Sequence, residues 1–302
     1  MNQMSDENIP KLNPVSKVLN IFGDIKLAHT IFALPFALAS THIAFNGHYD
    51  LKTLILILAC MFTARSAAMA FNRWLDRDID IVNPRTKYRS IPSGRVKPVE
   101  MLAFVVVCSI LFIIATWFLN ILTFLLSPIA LLVILSYSYF KRFTSWSHLV
   151  LGLSLAIAPS GAWIAVRGSL DWAPVILSTA VVFWVAGFDI IYSINDMEFD
   201  KSAGLYSIPK RYGVANALAM STLFHVITIG CLVIFGHVAG LGFIYFCLIG
   251  LISLILLTEH ALVTPANLNL WGVAFFTLNG AVSIIFFLAV VFDMLFKSGA
   301  GI

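Results

Sequence analysis

Charge is what this sequence has least of: Asp, Glu, Lys and Arg together make up 11% of its 302 residues, against 60% hydrophobic residues and a mean hydropathy of +0.94. A soluble domain carries about a quarter charged residues, so a water-facing surface cannot be assembled from this chain. Long polar linkers are missing too. Apolar runs of about 20 residues, the length that crosses the hydrocarbon of a bilayer, follow one another almost end to end, leaving no room for a separate soluble domain. Cysteine is sparse: Cys60, Cys108, Cys231 and Cys247 each sit inside an apolar run and form no CxxC or His/Cys ligand spacing, so they read as lipid-facing or core residues. The seven histidines are scattered and give zinc chemistry no support. The first 20 residues lack an apolar stretch, so no cleaved secretory signal is read and the first span directs insertion.

What is present is a series of apolar segments bounded by charge, Pro or Gly. They predict membrane helices over 26–46, 51–72, 100–119, 121–140, 147–166, 173–195, 213–236, 239–258 and 270–296. The expected fold is an all-α integral membrane protein of about nine helices, the splits at Asn120 and Gly240 being the shortest turns. Residues 1–25 read as a cytoplasmic N-terminal segment and 26–302 as a single transmembrane domain.

The few cations settle an orientation. Lys11, Lys17, Lys26, the seven from Arg73 to Lys97, Lys141, Arg142, Lys201, Lys210 and Arg211 fall on one side, and only Lys52, Arg167 and Lys297 on the other. Positively charged loops stay cytoplasmic. The net charge of +4 is thus accounted for by topology, and no nucleic-acid partner is implied.

Acidic residues are distributed very unevenly. Seven of the fifteen lie in two short windows: Asp76, Asp78 and Asp80, then Asp189, Asp196, Glu198 and Asp200. Asn72, Asp76 and Asp80 recur every fourth residue, which on a helix stacks them along one face, and Arg65 extends that stripe inward. Asp189, Tyr192, Asp196 and Asp200, spaced three, four and four, form a second such face, while Asp78 and Glu198 point elsewhere. Like charges so spaced repel, and ionisable groups at membrane depth are costly, so a cation should compensate them. Mg2+ fits, since it is commonly held by one or two carboxylates plus substrate phosphates. Arg73, Lys87 and Arg89, then Lys141 and Arg142, then Lys201 and Lys210 lie on the same side, as basic partners for an anion or as plain topology signals. The 25 Phe residues are mostly intramembrane, suited to packing, to lining a tunnel for an isoprenoid tail or to shielding a carbocation.

At these residues the chain resembles the UbiA-type membrane prenyltransferases, nearest to the bacterial 4-hydroxybenzoate polyprenyltransferase type. The stretch from Arg65 to Asp80 resembles that family's first Asp motif, and Asn195-Asp196-Met197-Glu198-Phe199-Asp200 its second. The likeness continues through Asn83-Pro84-Arg85-Thr86-Lys87-Tyr88-Arg89, Lys141-Arg142-Phe143-Thr144 and Ser207-Ile208-Pro209-Lys210-Arg211-Tyr212-Gly213. One departure is Arg73, where many members carry Asp after the Asn.

The resemblance implies nine helices around one central cavity, and transfer of a polyprenyl group from its diphosphate to a ring carbon of an aromatic hydroxy acid. The acceptor would be 4-hydroxybenzoate, with naphthoate, haem or lipid acceptors as alternatives and ubiquinone and menaquinone routes both open. It implies Mg2+ held by Asn72, Asp76, Asp80, Asp196 and Asp200, with Asp76, Asp196 and Arg142 central to catalysis. Arg65, Asn72, Arg73, Lys87, Arg89, Lys141, Asp189, Tyr192, Lys201 and Lys210 would contact the polyprenyl diphosphate or the small aromatic acid. It further implies a multi-pass protein of the bacterial inner membrane with its active site facing the cytoplasm. A cation-coupled transporter, which also places acids in the membrane, would instead put them near the midplane in inverted repeats.

Overall fold

The computed structural model of the chain describes residues 13–25, 32–268 and 272–299, and among these every regular element is a helix. In chain order they are α1 (Pro14–Ile25), α2 (Leu34–Phe45), α3 (Leu51–Leu75), α4 (Arg77–Val82), α5 (Pro98–Trp117), α6 (Ile121–Phe140), α7 (Ser147–Arg167), α8 (Trp172–Ile194), α9 (Met197–Ser202), α10 (Ile208–Tyr212), α11 (Val214–Val238), α12 (Phe243–Leu262), a π-helical segment (Val273–Leu278) and α13 (Asn279–Gly299).

Among the described residues eight helices are long and apolar enough to cross a membrane, the last of these spans running over Phe276–Lys297. The expected first span, 26–46, contributes the shorter apolar α2, and its residues 26–31 lie outside the described residues. The tight turns fall where expected. Asn120 caps α6, its side-chain oxygen accepting from Thr123 N at 2.9 Å while its amide donates to Ile164 O at 2.8 Å. Gly240 takes φ +64° between α11 and α12, a conformation that side chains with a Cβ disfavour.

The segment before the first span holds more than a connection. In α1, Ile21 and Ile25 are buried with Ala70, Val96 and Met101, while Val15 and Leu19 stay exposed. The apolar residues recur at helical spacing, but 12 residues are too few to span, so the helix packs on α3 instead of crossing.

Helix α8 is the hub. It packs on α7 and α11, and Trp184, Val185 and Leu177 are fully enclosed in a core that includes Phe36, Phe235, Tyr245 and Phe286. Two glycines permit the close approach: a Cβ at Gly152 would lie 2.3 Å from Val182 O, and one at Gly187 would lie 2.4 Å from the His225 ring. α3, α5, α6 and α7 form the other flank, and α2 bridges α7 and α13. Within α6, Pro128 has no N–H for the carbonyl of Phe124, which instead accepts from Ser127 Oγ at 2.8 Å.

Candidate active site

The two acidic windows meet at one end of the bundle. Helix α3 breaks at Asp76, yet Asp76 N still donates to Asn72 O at 2.9 Å and Asp80 N to Asp76 O at 2.8 Å, so the four-residue spacing keeps its meaning across the break. The second window repeats the device: α8 ends at Ile194, α9 begins after Asp196, and Asp200 N donates to Asp196 O at 2.8 Å. The loops between these elements are tied together, Tyr206 N donating to Lys141 O at 2.7 Å.

Each acid has its own surroundings. Asp76, 2% exposed, accepts from Lys141 Nζ, from Arg142 Nη2 at 3.0 Å and from Asn72 Nδ2 at 3.0 Å. Asp80, also buried, takes both its oxygens to Arg89 Nη1, at 2.8 and 2.7 Å. Asp196 accepts from Arg85 Nη2 at 2.6 Å, and the same guanidinium donates to Tyr192 OH at 2.7 Å. Among the described residues no cation lies within 4 Å of the Asp200 carboxylate. Burial raises the Asp196 carboxyl above its ordinary value, with Arg85 pulling it back down. Burial raises Asp200 too, and the charge of Asp196 adds to that rise.

These acids line a cavity of about 690 Å³. Arg65, Asn72, Arg73, Asp76, Asp80, Arg89, Lys141, Asp189, Tyr192, Asp196 and Asp200, all singled out from the sequence, are on its wall. Arg65 lies seven residues farther along α3 than Asn72, with its Nε buried and without a partner. Arg85 is on the wall too, and the rest is mostly apolar, with Ile57, Met61, Phe112, Leu126, Val133 and Ile164 from α3, α5, α6 and α7 interrupted by hydroxyls such as Thr123, Ser127 and Ser154. From Asn72 to Ile57 the wall follows α3 for about 22 Å at 1.5 Å per residue.

Four of the basic residues named above are not on that wall. Arg142 reaches Asp76 all the same, and also donates to Leu75 O at 3.1 Å. Lys87 lies 5.1 Å from the centre of the Tyr88 ring, Lys201 pairs with Glu198 at 2.7 Å, and Lys210 donates to the backbone oxygens of Leu205 and Asp200, at 2.5 and 3.1 Å. Asp78 and Glu198 point away, their side chains 79% and 77% exposed. Two participants were not anticipated. Arg85, in the loop after α4, bridges to the second window. His148, on α7, meets Asp189 Oδ2 through Nδ1 at 2.7 Å, while its Nε2 accepts from Ile208 N at 3.3 Å, which fixes the ring as the Nδ1–H tautomer.

The chain is similar to known proteins in sequence and in fold. A model of the UbiA prenyltransferase family matches residues 33–291. Relatives named 4-hydroxybenzoate octaprenyltransferase from Psychromonas ingrahamii and Marinobacter nauticus are 31% and 32% identical over 204 and 205 residues, 68% of this chain in both and 71% and 69% of theirs. The apo structure of a UbiA homolog from Aeropyrum pernix K1 superposes with a TM-score of 0.80 at 34% identity, covering 89% of this chain and 99% of that one. A UbiA homolog from Archaeoglobus fulgidus, bound to DMAPP and Mg2+, shares the fold with a TM-score of 0.71 at 20% identity, covering 92% of this chain and 99% of that one. The chain belongs to the UbiA prenyltransferase family and, with eight helices among the described residues long and apolar enough to cross a membrane, is an integral multi-pass membrane protein.

Proposed function

We propose that the protein transfers a polyprenyl group from its diphosphate to a ring carbon of an aromatic hydroxy acid, 4-hydroxybenzoate first among them, in the making of a respiratory quinone. One observation carries the reading: a single cavity whose end is walled by two acidic motifs and their cations continues as an apolar groove along α3. A diphosphate suits the first part and an isoprenoid tail the second. Relatives that carry the name 4-hydroxybenzoate octaprenyltransferase support the choice of acceptor.

The donor set fits Mg2+. Five carboxylates and the Asn72 amide line one cavity, yet among the described residues no three acid, His or Cys groups stand close enough to hold a metal alone. That suits an ion held by one or two carboxylates and completed by phosphate oxygens and water. Asp76, Asp80, Asp196 and Asp200, with Asn72, would hold it. When bound, Mg2+ offsets the charge that develops on the departing diphosphate.

The chain's own groups do the rest. Lys141, Arg89 and Arg85 are the cations a diphosphate meets on the cavity wall, and Arg142 supports Asp76 beside it. The bond between the allylic carbon and the diphosphate oxygen breaks, the electron pair leaving with the diphosphate. The ring carbon beside the acceptor's hydroxyl then bonds to the allylic carbon, and loss of the ring carbon's proton to the released diphosphate or water restores the ring. Arg65, half-buried on the cavity wall seven residues along α3 from Asn72, pairs with the acceptor carboxylate, and Asp189, held by His148, and Tyr192 orient the acceptor. The distribution of Lys and Arg supports a cytoplasm-facing site in a bacterial inner membrane.

The test is product analysis by mass spectrometry with purified protein in detergent, Mg2+, a polyprenyl diphosphate and either 4-hydroxybenzoate or a dihydroxynaphthoate. A Mg2+-dependent prenylated benzoate is expected, with Arg65→Ala raising KM for the acceptor about tenfold or more and leaving KM for the diphosphate nearly unchanged. Product with neither acid would overturn the aromatic reading.

A further inference from the structure

Helix α1 divides its surface among three kinds of neighbour. Going round the helix at about 100° per residue, Ile21 and Ile25 come first and are buried against Ala70 of α3 and Met101 and Val105 of α5. Val18, Phe22, Val15 and Leu19 follow as one continuous apolar sector, in which Val15, Val18 and Leu19 are exposed. Gly23 and Ser16 come next, and a Cβ at Gly23 would meet nothing within 4 Å. Asn20, Asp24 and Lys17 close the circle against the chain's own polar groups. Asn20 Oδ1 accepts from Arg95 Nη1 at 3.3 Å, Asp24 Oδ2 accepts from Ser90 N at 2.7 Å, and Lys17 Nζ donates to Glu100 Oε1 at 2.6 Å.

Phe22, at the centre of the apolar sector, shows where that sector points. Its ring lies 6.1 Å from the Phe62 ring and meets the Phe104 ring edge-on at 5.6 Å. Phe62 is itself exposed on a membrane-length helix, about 20 Å along α3 from Leu75 at 1.5 Å per residue. An exposed phenyl ring at that depth faces lipid tails, so Phe22 points from the rim of the bundle into the hydrocarbon, with Val15, Val18 and Leu19 on either side of it. A helix too short to span, with a wide apolar sector, lies in the plane of the membrane surface with that sector among the acyl chains.

We propose that α1 is a membrane-surface helix whose partner is the lipid of the leaflet beside the acidic motifs, entered by Val15, Val18 and Leu19, and that this seating steadies the loop between α4 and α5. That loop carries Arg85 to Asp196 and Arg89 to Asp80. Its Ser90 is bonded to α1 twice, N to Asp24 Oδ2 and Oγ to Asn20 O at 3.3 Å, and Arg73 Nε donates to Asp24 O at 3.3 Å. The bilayer thereby reaches both motifs through one short helix. Continuity with the lipid-facing Phe62 favours lipid over a second copy of the chain, or another protein, on this sector.

The test is depth, read by spin labels on the full chain in phosphatidylcholine nanodiscs. Nitroxides are placed singly at Val15→Cys, Val18→Cys and Gly23→Cys in a background of Cys60→Ala, Cys108→Ala, Cys231→Ala and Cys247→Ala, and their collisions with oxygen and with a water-soluble nickel chelate are compared. Oxygen collisions should exceed chelate collisions at positions 15 and 18, and the order should reverse at position 23. Chelate collisions as frequent at 15 and 18 as at 23 would put the sector in water, and exclusion of both reagents there would mean that protein covers it. Either result overturns the lipid partner. Hydrogen exchange tests the consequence with the native cysteines in place: Val15→Ser, Val18→Ser and Leu19→Ser combined should speed exchange of the Ser90 amide about tenfold or more in the same nanodiscs. Unchanged exchange at Ser90 overturns the link from bilayer to loop. Should the cysteine-free chain fail to insert, the exchange result decides alone.

Discussion

The two acidic motifs share a spacing and a cavity but not an electrostatic setting. In the first, each carboxylate is buried and already matched by cations: Asp76 by Lys141 and Arg142, Asp80 by Arg89 through both oxygens. In the second, Asp196 has one cation, Arg85, and Asp200 has none among the described residues, and burial raises both carboxyls. The first motif is a neutralised, pre-built wall whose geometry is set before any ligand arrives. The second is under-compensated and gains most when positive charge enters. Arg85 joins them, since it leaves the loop after the first motif and ends on the second.

The comparison is broken most severely by removing one acid from each side. Asp76→Asn and Asp196→Asn should each lower prenyl transfer by about a thousandfold or more, as each removes a group that acts on the developing charge. Their stabilities should part company. Asp76→Asn strands Lys141 and Arg142 against a buried neutral group and should cost about 3 kcal/mol, whereas Asp196→Asn removes a carboxylate that burial already disfavours and should cost far less. Equal losses in thermal unfolding would erase the distinction.

A second contrast lies in pH. The folded-state values of Asp196 and Asp200 are raised, so the fold binds their protons more tightly than the unfolded chain does. Metal-free protein should therefore lose stability as pH rises from the ordinary carboxylate value through the raised ones, and Asp196→Asn should flatten that loss. Metal affinity moves the opposite way: it should weaken as pH falls through the same window, so that more Mg2+ is needed for the same occupancy. Thermal unfolding and Mg2+ titrations against pH read the two slopes, and a metal-free protein that gains stability over that rise would contradict the account.

Smaller effects sharpen the picture. Arg85→Ala should raise KM for the prenyl diphosphate about tenfold by cutting the link between the motifs, with KM for the acceptor less affected. Asp78→Asn and Glu198→Gln, in the same windows but turned to solvent, should leave turnover within about twofold.

Much of this was legible in the sequence because helical spacing is a local property. Asn72, Asp76 and Asp80 could be placed on one face without knowing any tertiary contact, and the backbone bonds across the break at Asp76 preserve that face. Helix α1 was not legible, since 12 residues fall short of a span and the partners of Ile21 and Ile25 are about 45 to 80 residues away. Arg85 and His148 were missed for a related reason. Their partners, Asp196 and Asp189, sit on other helices, at sequence separations of 111 and 41 residues. Lys87, Lys201 and Lys210 do not line the cavity, and a cation on the positive side of a membrane satisfies topology without touching it.

The central claim is that both motifs hold one magnesium diphosphate. It is tested most directly by the binding of a non-reactive prenyl thiolodiphosphate to the purified protein with and without Mg2+, in wild type, Asp76→Asn and Asp196→Asn. The account predicts Mg2+-dependent binding in the wild type that is lost in both variants. Full binding retained by either variant, or binding indifferent to Mg2+, would contradict it.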